Sequence, residues 1–386
     1  MNALLFALLG AFLLAAPAAA AGFKSKQRKL DPRQLHGKEL VDYINQKGKW
    51  KAAFHSKFGN ATSSELSRLA GVKLDFARVL AVDARRQPRI LARKKAGGKA
   101  ADSSLPRWFD ARNGWSYCWK EMAEIQDQSL CGSCWAVSTA SSLQDRFCIW
   151  SRGRVRPQIS SIDLVSCCRQ CGEGEAFSCT GGYPHRVFEY AQQQGIVSGG
   201  NFTNADGCKP YTFAPCGRGG QEFAKQPTCK GAQKEKECVR TCQEGFDFNY
   251  YTDLYFTTGG VVIQNDAEEV RRELFRSGPL VFGALQVFED FLHYKSGIYE
   301  ASSTIYCILY SLVTGGKFIG LHAVRVIGWG EENGVPYWLV ANSWSRSWGD
   351  GGFFKIRRGT NEANIEGISS AGFPDFRRSA KAFEHL

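Results

Sequence analysis

The sequence predicts an α+β protein, with a long helix early in its main domain and strands later in the chain. The segment CWAVSTASSLQDRFCIW, residues 134–150, has apolar residues at helical spacing. Two later runs, HAVRVIGWG and VPYWLVANSW, alternate as strands do. A length of 386 residues with 44% hydrophobic content allows more than one folding unit of ~150 residues. We therefore expect a helical part and a β-rich part.

The first 21 residues are predicted to be a cleaved secretory signal peptide. Residues 3–20 form an apolar run that is interrupted by Pro17 and ends in small residues. A transmembrane anchor, which needs ~20 apolar residues, is the alternative. The Ala-rich end favours a signal, so we expect an oxidising secretory route and no membrane attachment after cleavage. Asn-x-Thr sequons at Asn60 and Asn201 predict glycosylation on that route.

Residues 22–104 are predicted to form a basic pro-region. They carry 20 Lys and Arg against 7 Asp and Glu, whereas residues 105–386 carry 29 against 30. The net charge of +12 therefore comes from one segment, and the larger domain has no overall attraction to nucleic acid. The pro-region contains KELVDYINQKGKWKAAF, with helical recurrence of apolar residues, and ends in the linker ARKKAGGKAADSSLP. We expect part of it to fold, and cleavage near residue 104.

The cysteine count bears on which thiols are reactive. All 14 cysteines lie between Cys118 and Cys307. An even total allows every cysteine to pair, whereas one catalytic thiol requires a second unpaired cysteine, for which Cys307 is the candidate. The cluster SCCRQCGEGEAFSC also suits zinc, but only His185 lies nearby and the route is oxidising. Disulfides are therefore favoured, and no metal is expected.

The motif CGSCW is compatible with a redox pair, half of a metal site, or one reactive thiol beside a structural one. A thioredoxin-like redox pair follows a strand, and no strand-like run precedes this motif. Cys134 begins the predicted helix, where the dipole and free N–H groups favour a thiolate. Such a nucleophile needs a proton shuttle and a group that orients it. His322 and Asn342, on the two predicted strands, are the candidates, while His185 and His293 are interpreted as solvated or packing residues.

These residues resemble the papain-like cysteine proteases. The motif C-G-[SA]-C-[WY] with a later His and Asn is that family's signature, although here both lie farther downstream than roughly 130 to 150 residues. The segments LPRWFDARNGW, GGYP, GIVSGG, GCKPYTFAPC and ENGVPYWLVANSW are similar, in order, to the cathepsin B-like subfamily. The similarity runs from about Glu39 to Pro374. It implies a papain-like two-lobe fold for residues 105–386, with a helical left lobe, a β-barrel-like right lobe, and an active cleft between them that the pro-region covers.

The resemblance also implies roles for the active-site residues. Cys134 would be the nucleophile, His322 the general base and then acid, and Asn342 the group that orients His322. Gln128 would add its side-chain amide to an oxyanion hole beside the Cys134 backbone N–H. Trp344 would shield the His–Asn pair and line the leaving-group side of the cleft. The reaction implied is peptide hydrolysis through a thioester, without a metal or organic cofactor.

Substrate-binding positions are implied in the same way. Gly181 and Gly182 match glycines whose backbone approaches the substrate, and Ile368 stands where cathepsin B has a pocket glutamate. The loop GRGGQEFAKQPT lacks the histidines that bind a substrate C-terminus in cathepsin B, which leaves Arg218 and Lys225 as candidate carboxylate partners. We therefore expect endopeptidase cleavage, weak dipeptidyl carboxypeptidase activity, and a preference for apolar side chains at P2, the second residue on the acyl side.

The resemblance further implies six disulfides, and it makes Cys131 structural and Cys134 reactive. The pairs are Cys118–Cys148, Cys131–Cys179, Cys167–Cys238, Cys168–Cys171, Cys208–Cys242 and Cys216–Cys229. The implied partners are protein or peptide substrates, the chain's own pro-region as an inhibitor, and cystatin-like inhibitors. The implied location is the lysosome or the extracellular space.

The stretch STIYCILYSLVTGGKFIGLHA departs from the family. It contains an apolar insertion with the unpaired Cys307, and Leu321 replaces the glycine that usually precedes the histidine. The insertion is interpreted as an extra strand, a dimer contact or an error in how the coding sequence was assembled. If it displaces His322, the alternative is a catalytically impaired homologue that acts as a binding protein. A disulfide oxidoreductase is a third hypothesis, and it requires Cys131 to be unpaired.

Overall fold

The computed structural model describes residues 35–55, 57–59, 61–74, 105–172, 179–216, 237–301 and 316–379. All of these residues fall in the unit Pro32–Leu386. Several predicted features lie outside the described residues: the signal peptide, the sequon residue Asn60, most of the linker, the loop with Arg218, Lys225 and Cys229, and the insertion with Cys307.

The described residues contain nine α-helices, four 3-10 helices and ten strands. The α-helices are α1 (Gly37–Lys47), α2 (Ser63–Ser67), α3 (Ala111–Gly114), α4 (Trp119–Ala123), α5 (Cys134–Trp150), α6 (Ser161–Cys167), α7 (Pro184–Gln193), α8 (Ala267–Ser277) and α9 (Glu289–Leu292). The 3-10 helices are Ser116–Cys118, Arg169–Cys171, Tyr250–Thr252 and Glu362–Asn364. The strands are β1 (Lys51–Ala52), β2 (Phe109–Asp110), β3 (Phe256–Ile263), β4 (Leu280–Phe288), β5 (Tyr294–Ser296), β6 (Ile298–Tyr299), β7 (Phe318–Glu332), β8 (Val335–Ala341), β9 (Phe353–Arg357) and β10 (Ser369–Asp375). Within this part of the chain, we find no helix that is both long and apolar enough to cross a membrane.

Helix α5 is the helix that the sequence predicts after CGSCW, and it is the buried centre of the helical lobe. Its residues from Cys134 to Ile149 are buried, and Trp150 at its end is exposed. Because a buried helix must satisfy its polar side chains internally, Ser138 Oγ donates to the Cys134 carbonyl and Thr139 Oγ1 to the Trp135 carbonyl. The reactive end of the helix is therefore held by packing along its whole length.

The β-rich lobe is built on an eight-stranded sheet that places the two predicted site strands side by side. Seven of the strands follow the order β3-β10-β4-β7-β8-β9-β6, and β2 pairs with β7 off this path. β7 pairs antiparallel with β4 and with β8, in a register that sets Arg325 opposite Ala341. His322 lies within β7, and Asn342 directly follows β8. The hairpin of β7 and β8 therefore brings these two residues to one edge of the cleft.

Part of the predicted pro-region folds against the β-rich lobe. The ELVDYIN pattern forms α1, which buries Leu40, Val41 and Ile44. β1 adds a short antiparallel pairing with β5. Trp50 is buried between these elements, with its ring 5.2 Å from the ring of Tyr299. The prediction of a partly folded pro-region agrees with this arrangement.

Five of the six predicted disulfides are present. They are Cys118–Cys148, Cys131–Cys179, Cys167–Cys238, Cys168–Cys171 and Cys208–Cys242. Cys216 is also disulfide-bonded, and its predicted partner lies outside the described residues. Within the described part of the chain, Cys134 is the free cysteine. Since the sulfurs of the CCRQC cluster are in disulfides, they are not available as thiolate ligands for zinc.

A buried ion pair joins α5 to the β-rich lobe. Arg325 Nη1 lies 2.9 Å from Asp145 Oδ2, and the two side chains are 3% and 0% exposed. Arg325 Nη2 also donates to the carbonyls of Met122 and Glu124, at 3.2 and 2.8 Å. Burial raises the pKa of Asp145 to about 7, although the charge of Arg325 acts in the opposite direction. The lobes are thus linked by a charged contact that is costly to desolvate.

Candidate active site

The position of Cys134 is fixed by its neighbours in the CGSCW motif. The Cys131–Cys179 disulfide anchors the turn before α5, and the Gly132 N–H donates to the Cys179 carbonyl at 2.9 Å. A Cβ on Gly132 would lie 2.5 Å from that same carbonyl oxygen, so the close approach requires glycine. Ser133 Oγ lies 2.7 Å from the hydroxyl of Tyr211. Cys134 therefore begins α5 directly after a cross-linked turn. Its sulfur lies at the electropositive N-terminal end of the helix.

His322 is held on two sides. Its Nε2 lies 2.8 Å from Asn342 Oδ1, and because an amide oxygen only accepts, Nε2 carries the proton. The Trp344 ring stacks on the imidazole at 4.8 Å between ring centroids and 28° between planes. Among the described residues, Nδ1 has no hydrogen-bond partner, so in this tautomer it can accept a proton. Burial raises the pKa of Cys134, and a hydrogen bond from the Ala323 backbone opposes this rise, so the sulfur lies beside this strand.

Gln128 is fixed at both ends of its amide. Its Oε1 accepts from Ser343 Oγ, and its Nε2 donates to the Cys131 carbonyl at 2.8 Å and to the Leu69 carbonyl at 3.3 Å. The backbone N–H of Gln128 donates to the Ser343 carbonyl. An amide N–H oriented in this way can stabilise a negatively charged oxygen. Ser343 was not predicted as a site residue, although the ANSW motif places it directly after Asn342.

The pro-region segment 69–74 lies across these residues. The Gly71 N–H lies 3.2 Å from Cys134 Sγ, and the Gly71 carbonyl accepts from Gly182 N–H at 3.0 Å. The next residue, Val72, donates its N–H to the Leu321 carbonyl at 3.0 Å. A Cβ on Gly71 would overlap the backbone of Gly132. The segment is therefore hydrogen-bonded to both sides of the cleft and touches the sulfur.

Gly181, Gly182 and Ile368, which are the predicted substrate-binding positions, flank the segment. Gly181 has a φ of +112°, where L side chains are strained, and a Cβ there would lie 3.0 Å from the Gly71 carbonyl oxygen. The Gly182 carbonyl accepts from the Lys73 N–H at 2.9 Å. Ile368 forms a small buried apolar cluster with Val262 and Ala284, and Leu74 packs against it.

With the segment in place, burial disfavours the charged forms of both the thiol and the imidazole. Burial raises the pKa of Cys134 to about 11, and its hydrogen bonds to backbone N–H groups offset only part of this effect. Burial lowers the pKa of His322 to about 4, against the opposing effects of Asn342 and the Leu69 carbonyl. Since the thiolate is the nucleophile, the covered cleft holds the sulfur in its unreactive form.

The remaining predicted residues lie away from this group or make other contacts. His185 and His293 are both buried, and His293 stacks on Phe54 at 5.6 Å. Burial, followed by the neighbouring His55, lowers the pKa of His293 to about 4, which agrees with a packing role. Asn201 Nδ2 donates to Glu124 at 2.9 Å, so attaching a glycan at this sequon requires that bond to break.

Comparisons with known proteins agree with this geometry. The sequence model of the papain family cysteine proteases matches residues 105–373. A gut-specific cysteine proteinase of Caenorhabditis elegans is 38% identical over 340 residues, which cover 88% of this chain and 91% of that protein. A cathepsin B-like cysteine proteinase of Schistosoma japonicum is 36% identical, with coverage of 86% and 90%. The solved structure of proCathepsin B S9 from Trypanosoma congolense has a TM-score of 0.65 and 33% identity, and the match covers 87% of this chain and 97% of that one.

Proposed function

This chain belongs to the papain family of cysteine proteases, as a cathepsin B-like member, and we therefore propose that Cys134, His322 and Asn342 are its catalytic group. The observation that best supports the proposal is the combination of a free thiol at a helix N-terminus with an imidazole held by an amide oxygen. Gln128 completes the group as an oxyanion donor. A disulfide oxidoreductase is not supported, because Cys131 is paired with Cys179.

The proposed reaction is peptide-bond hydrolysis in two steps. His322 Nδ1 takes the proton of the Cys134 thiol, the resulting thiolate attacks the scissile carbonyl carbon, and the oxyanion is stabilised by Gln128 Nε2 and the Cys134 backbone N–H. The C–N bond then breaks as His322 gives that proton to the leaving amine, which leaves a thioester on the sulfur. His322 next removes a proton from water, the hydroxide adds to the thioester carbonyl, and the C–S bond breaks, which releases the carboxylic acid product and, with the proton returned from His322, regenerates the thiol. The Leu69 carbonyl supports the role of Gln128 as an oxyanion donor, because its oxygen accepts a hydrogen bond from Gln128 Nε2 at 3.3 Å.

We propose that the protein is made as a secretory zymogen and that the pro-region is its inhibitor. The segment 69–74 supports this, because it contacts Cys134 Sγ and hydrogen-bonds both sides of the cleft. The same segment uses the backbone N–H and carbonyl of Gly182, so a substrate peptide cannot bind there at the same time. Cleavage near residue 104 would release it and rehydrate the Cys134–His322 pair. The exposed cleft would then accept substrates and cystatin-like inhibitors, in the lysosome or the extracellular space.

We propose endopeptidase cleavage with an apolar P2 preference. The buried cluster around Ile368 supports the preference, because it is apolar and packs a leucine of the pro-region. The loop GRGGQEFAKQPT supports endopeptidase activity through its lack of histidine. Peptides with Phe-Arg before the scissile bond should therefore be cleaved faster than those with Arg-Arg, and peptides with free and amidated C-termini at similar rates. Faster cleavage of Arg-Arg peptides, or a strong preference for free acids, would contradict these specificities.

The catalytic assignment is tested by labelling the processed protein with an epoxysuccinyl thiol probe and mapping the modified peptide. We expect stoichiometric labelling at Cys134 that collapses in His322→Ala, with Cys134→Ser as the control for the site of attachment. Failure of the processed wild-type protein to label at Cys134 would contradict the assignment. It would favour the alternative in which the chain is a catalytically impaired binding protein.

A further inference from the structure

Asp127 forms a buried ion pair with a lysine of the pro-region. Lys57 Nζ lies 2.6 Å from Asp127 Oδ2 and 2.7 Å from Oδ1. The two side chains are only 2% and 6% exposed. Within the described part of the chain, Lys57 is the one cation within ion-pair distance of this carboxylate. The main domain therefore offers a carboxylate that holds an ammonium group through both oxygens.

The ion pair lies at the leaving-group end of the cleft. Asp127 directly precedes Gln128, and its backbone forms a β-bridge with Trp344. The pro-region residue beside Lys57, Phe58, packs its ring edge-on against Trp344 at 5.6 Å between centroids. Lys57 and Phe58 thus cover the end of the cleft that Trp344 lines.

The path of the pro-region shows that Asp127 and the pocket for the acyl half of a substrate lie on opposite sides of Cys134. After leaving Trp344, the chain reaches the sulfur at Gly71 and then the apolar cluster at Leu74. Under the proposed function, that cluster binds the P2 side chain. Asp127 therefore lies on the other side of Cys134, where the leaving-group half of a substrate would bind.

The carboxylate is oriented independently of the pro-region. Asp127 Oδ1 accepts from the Ser129 backbone N–H at 2.8 Å, within the same turn as Gln128. The donor of this bond belongs to the main domain, so removal of the pro-region does not take it away. A carboxylate in a partly desolvated cleft that has lost its cation is stabilised by a new one.

We propose that, in the processed enzyme, Asp127 binds the side chain of a lysine or arginine in the leaving-group half of the substrate. That cation takes the place that Lys57 occupies in the precursor. The inference rests on the proposed function, since it assumes that peptides are cleaved at Cys134. It assigns the site a chemical class of ligand, a primary ammonium or a guanidinium.

The test compares internally quenched peptides that share one acyl half with an apolar P2 residue. Each of the first three leaving-group positions carries lysine in one peptide and the uncharged norleucine in its partner. At the best position, we expect the processed wild-type enzyme to have a kcat/KM about fivefold higher for lysine, typical of a partly exposed ion pair. The ratio should fall to about one in Asp127→Asn, which keeps an acceptor for Ser129, and return in part in Asp127→Glu. The exposed Asp247→Asn serves as the charge-matched control.

Two results would overturn the inference while leaving the enzyme active. One is a lysine-to-norleucine ratio near one at all three positions in the wild type, and the other is a preference that survives in Asp127→Asn. If Asp127→Asn does not fold, the ionic-strength dependence of the wild-type ratio decides, because an ion pair requires the ratio to fall with added salt. Absence of cleavage of every peptide by the wild type would refute the proposed function and, with it, this inference.

Discussion

At the residue scale, the orientation of His322 depends on one hydrogen bond and one ring contact. Asn342 Oδ1 determines which nitrogen carries the proton, while Trp344 limits ring rotation. The Ser343 N–H also donates to Asn342 Oδ1 at 2.8 Å, so the amide itself is held. The histidine is thus pre-positioned by groups that do not take part in bond breaking.

Replacing Asn342 with alanine should therefore reduce activity without abolishing it. We expect kcat/KM of the processed enzyme to fall about tenfold, which corresponds to the loss of one hydrogen bond of about 1.4 kcal/mol. The loss should not be larger, because Trp344 still restrains the imidazole ring. The measurement is steady-state hydrolysis of a Phe-Arg peptide, with Gln192→Ala, an exposed amide, as the control. An unchanged kcat/KM in Asn342→Ala would show that Asn342 does not orient His322.

Gln128→Ala tests the oxyanion donor. Removing one such donor typically lowers kcat by about 100-fold. Because the charge develops in the transition state, KM should change little. The two constants are separated by initial rates over a range of peptide concentrations. A variant with a raised KM and an unchanged kcat would mean that Gln128 binds the ground state and the transition state equally well, and is not an oxyanion donor.

The prediction of Cys134, His322 and Asn342 rests on residue types and motifs, which do not report the residues that support them. Cys134 stands in a signature motif, His322 begins one strand-like run, and Asn342 lies at the end of the next. Ser343 and the ion pair of Lys57 with Asp127 were not predicted. The ion pair joins residues that are 70 positions apart, and a local sequence pattern cannot predict a contact over that separation.

At the element scale, the segment 69–74 occupies the cleft through backbone contacts, which makes its glycine important. A Cβ at Gly71 would overlap Gly132, and the Gly182 N–H donates to the Gly71 carbonyl. The residue type at position 71 therefore controls how closely the segment can approach the sulfur.

Gly71→Ala should expose the cleft of the uncut precursor. We expect the rate of epoxysuccinyl labelling at Cys134 to rise at least tenfold. The substitution should break one or two hydrogen bonds of the segment, and each contributes about 1.4 kcal/mol, which corresponds to a factor of ten. The control is Ser64→Ala, an exposed position of α2 in the same pro-region. Equal labelling rates for the two variants would argue against inhibition by this segment.

The covered thiol also predicts a pH profile. A raised thiol pKa means that the thiolate, and hence alkylation, appears only as the pH approaches 11. The uncut precursor should react with iodoacetamide roughly tenfold faster per pH unit between 7 and 10, while the processed protein should already react at neutral pH. Identical profiles for the two forms would show that the pro-region does not set the thiol pKa.

Elements with long periodic patterns were predictable, and short ones were not. The apolar spacing predicted α1 and α5, and alternation predicted β7 and β8. α3 and α4 are too short to show a period, and their positions depend on tertiary contacts such as the Cys118–Cys148 disulfide.

At the scale of the whole molecule, the pair of Arg325 and Asp145 makes stability depend on pH. A carboxyl pKa raised to about 7 means that the folded state holds a proton that the unfolded chain releases near pH 4. This contribution to stability is complete below pH 4 and is lost as the pH rises through 7.

Arg325→Met should destabilise the fold, and more so in alkaline solution. Removing one partner of a buried pair costs about 3 to 5 kcal/mol. At pH 5 the cost should be smaller, because Asp145 can remain buried as the neutral acid. Urea unfolding of the precursor at pH 5 and pH 8 measures the difference, with the exposed Arg377→Met as the control. Equal losses at both pH values would mean that Asp145 is not the titrating group.

The predicted division of the chain into a pro-region and a main domain rests on its composition. The change from a basic, cysteine-free segment to a charge-balanced, cysteine-rich one predicted a pro-region, part of which packs on the β-rich lobe. The two-lobe architecture came from family resemblance, and it is shared with solved procathepsins. The path of residues 69–74 through the cleft was not predictable from composition, because it depends on backbone contacts with both lobes.

Because the segment 69–74 is continuous in sequence with the main domain, its binding is intramolecular. Tethered binding of this kind acts at an effective concentration in the millimolar range, whatever the protein concentration in solution. Once the linker is cut, the pro-region becomes an ordinary solute and its occupancy of the cleft follows mass action. Activation should then respond to dilution: a cut precursor remains inhibited in a concentrated compartment and becomes active where it is released into a larger volume.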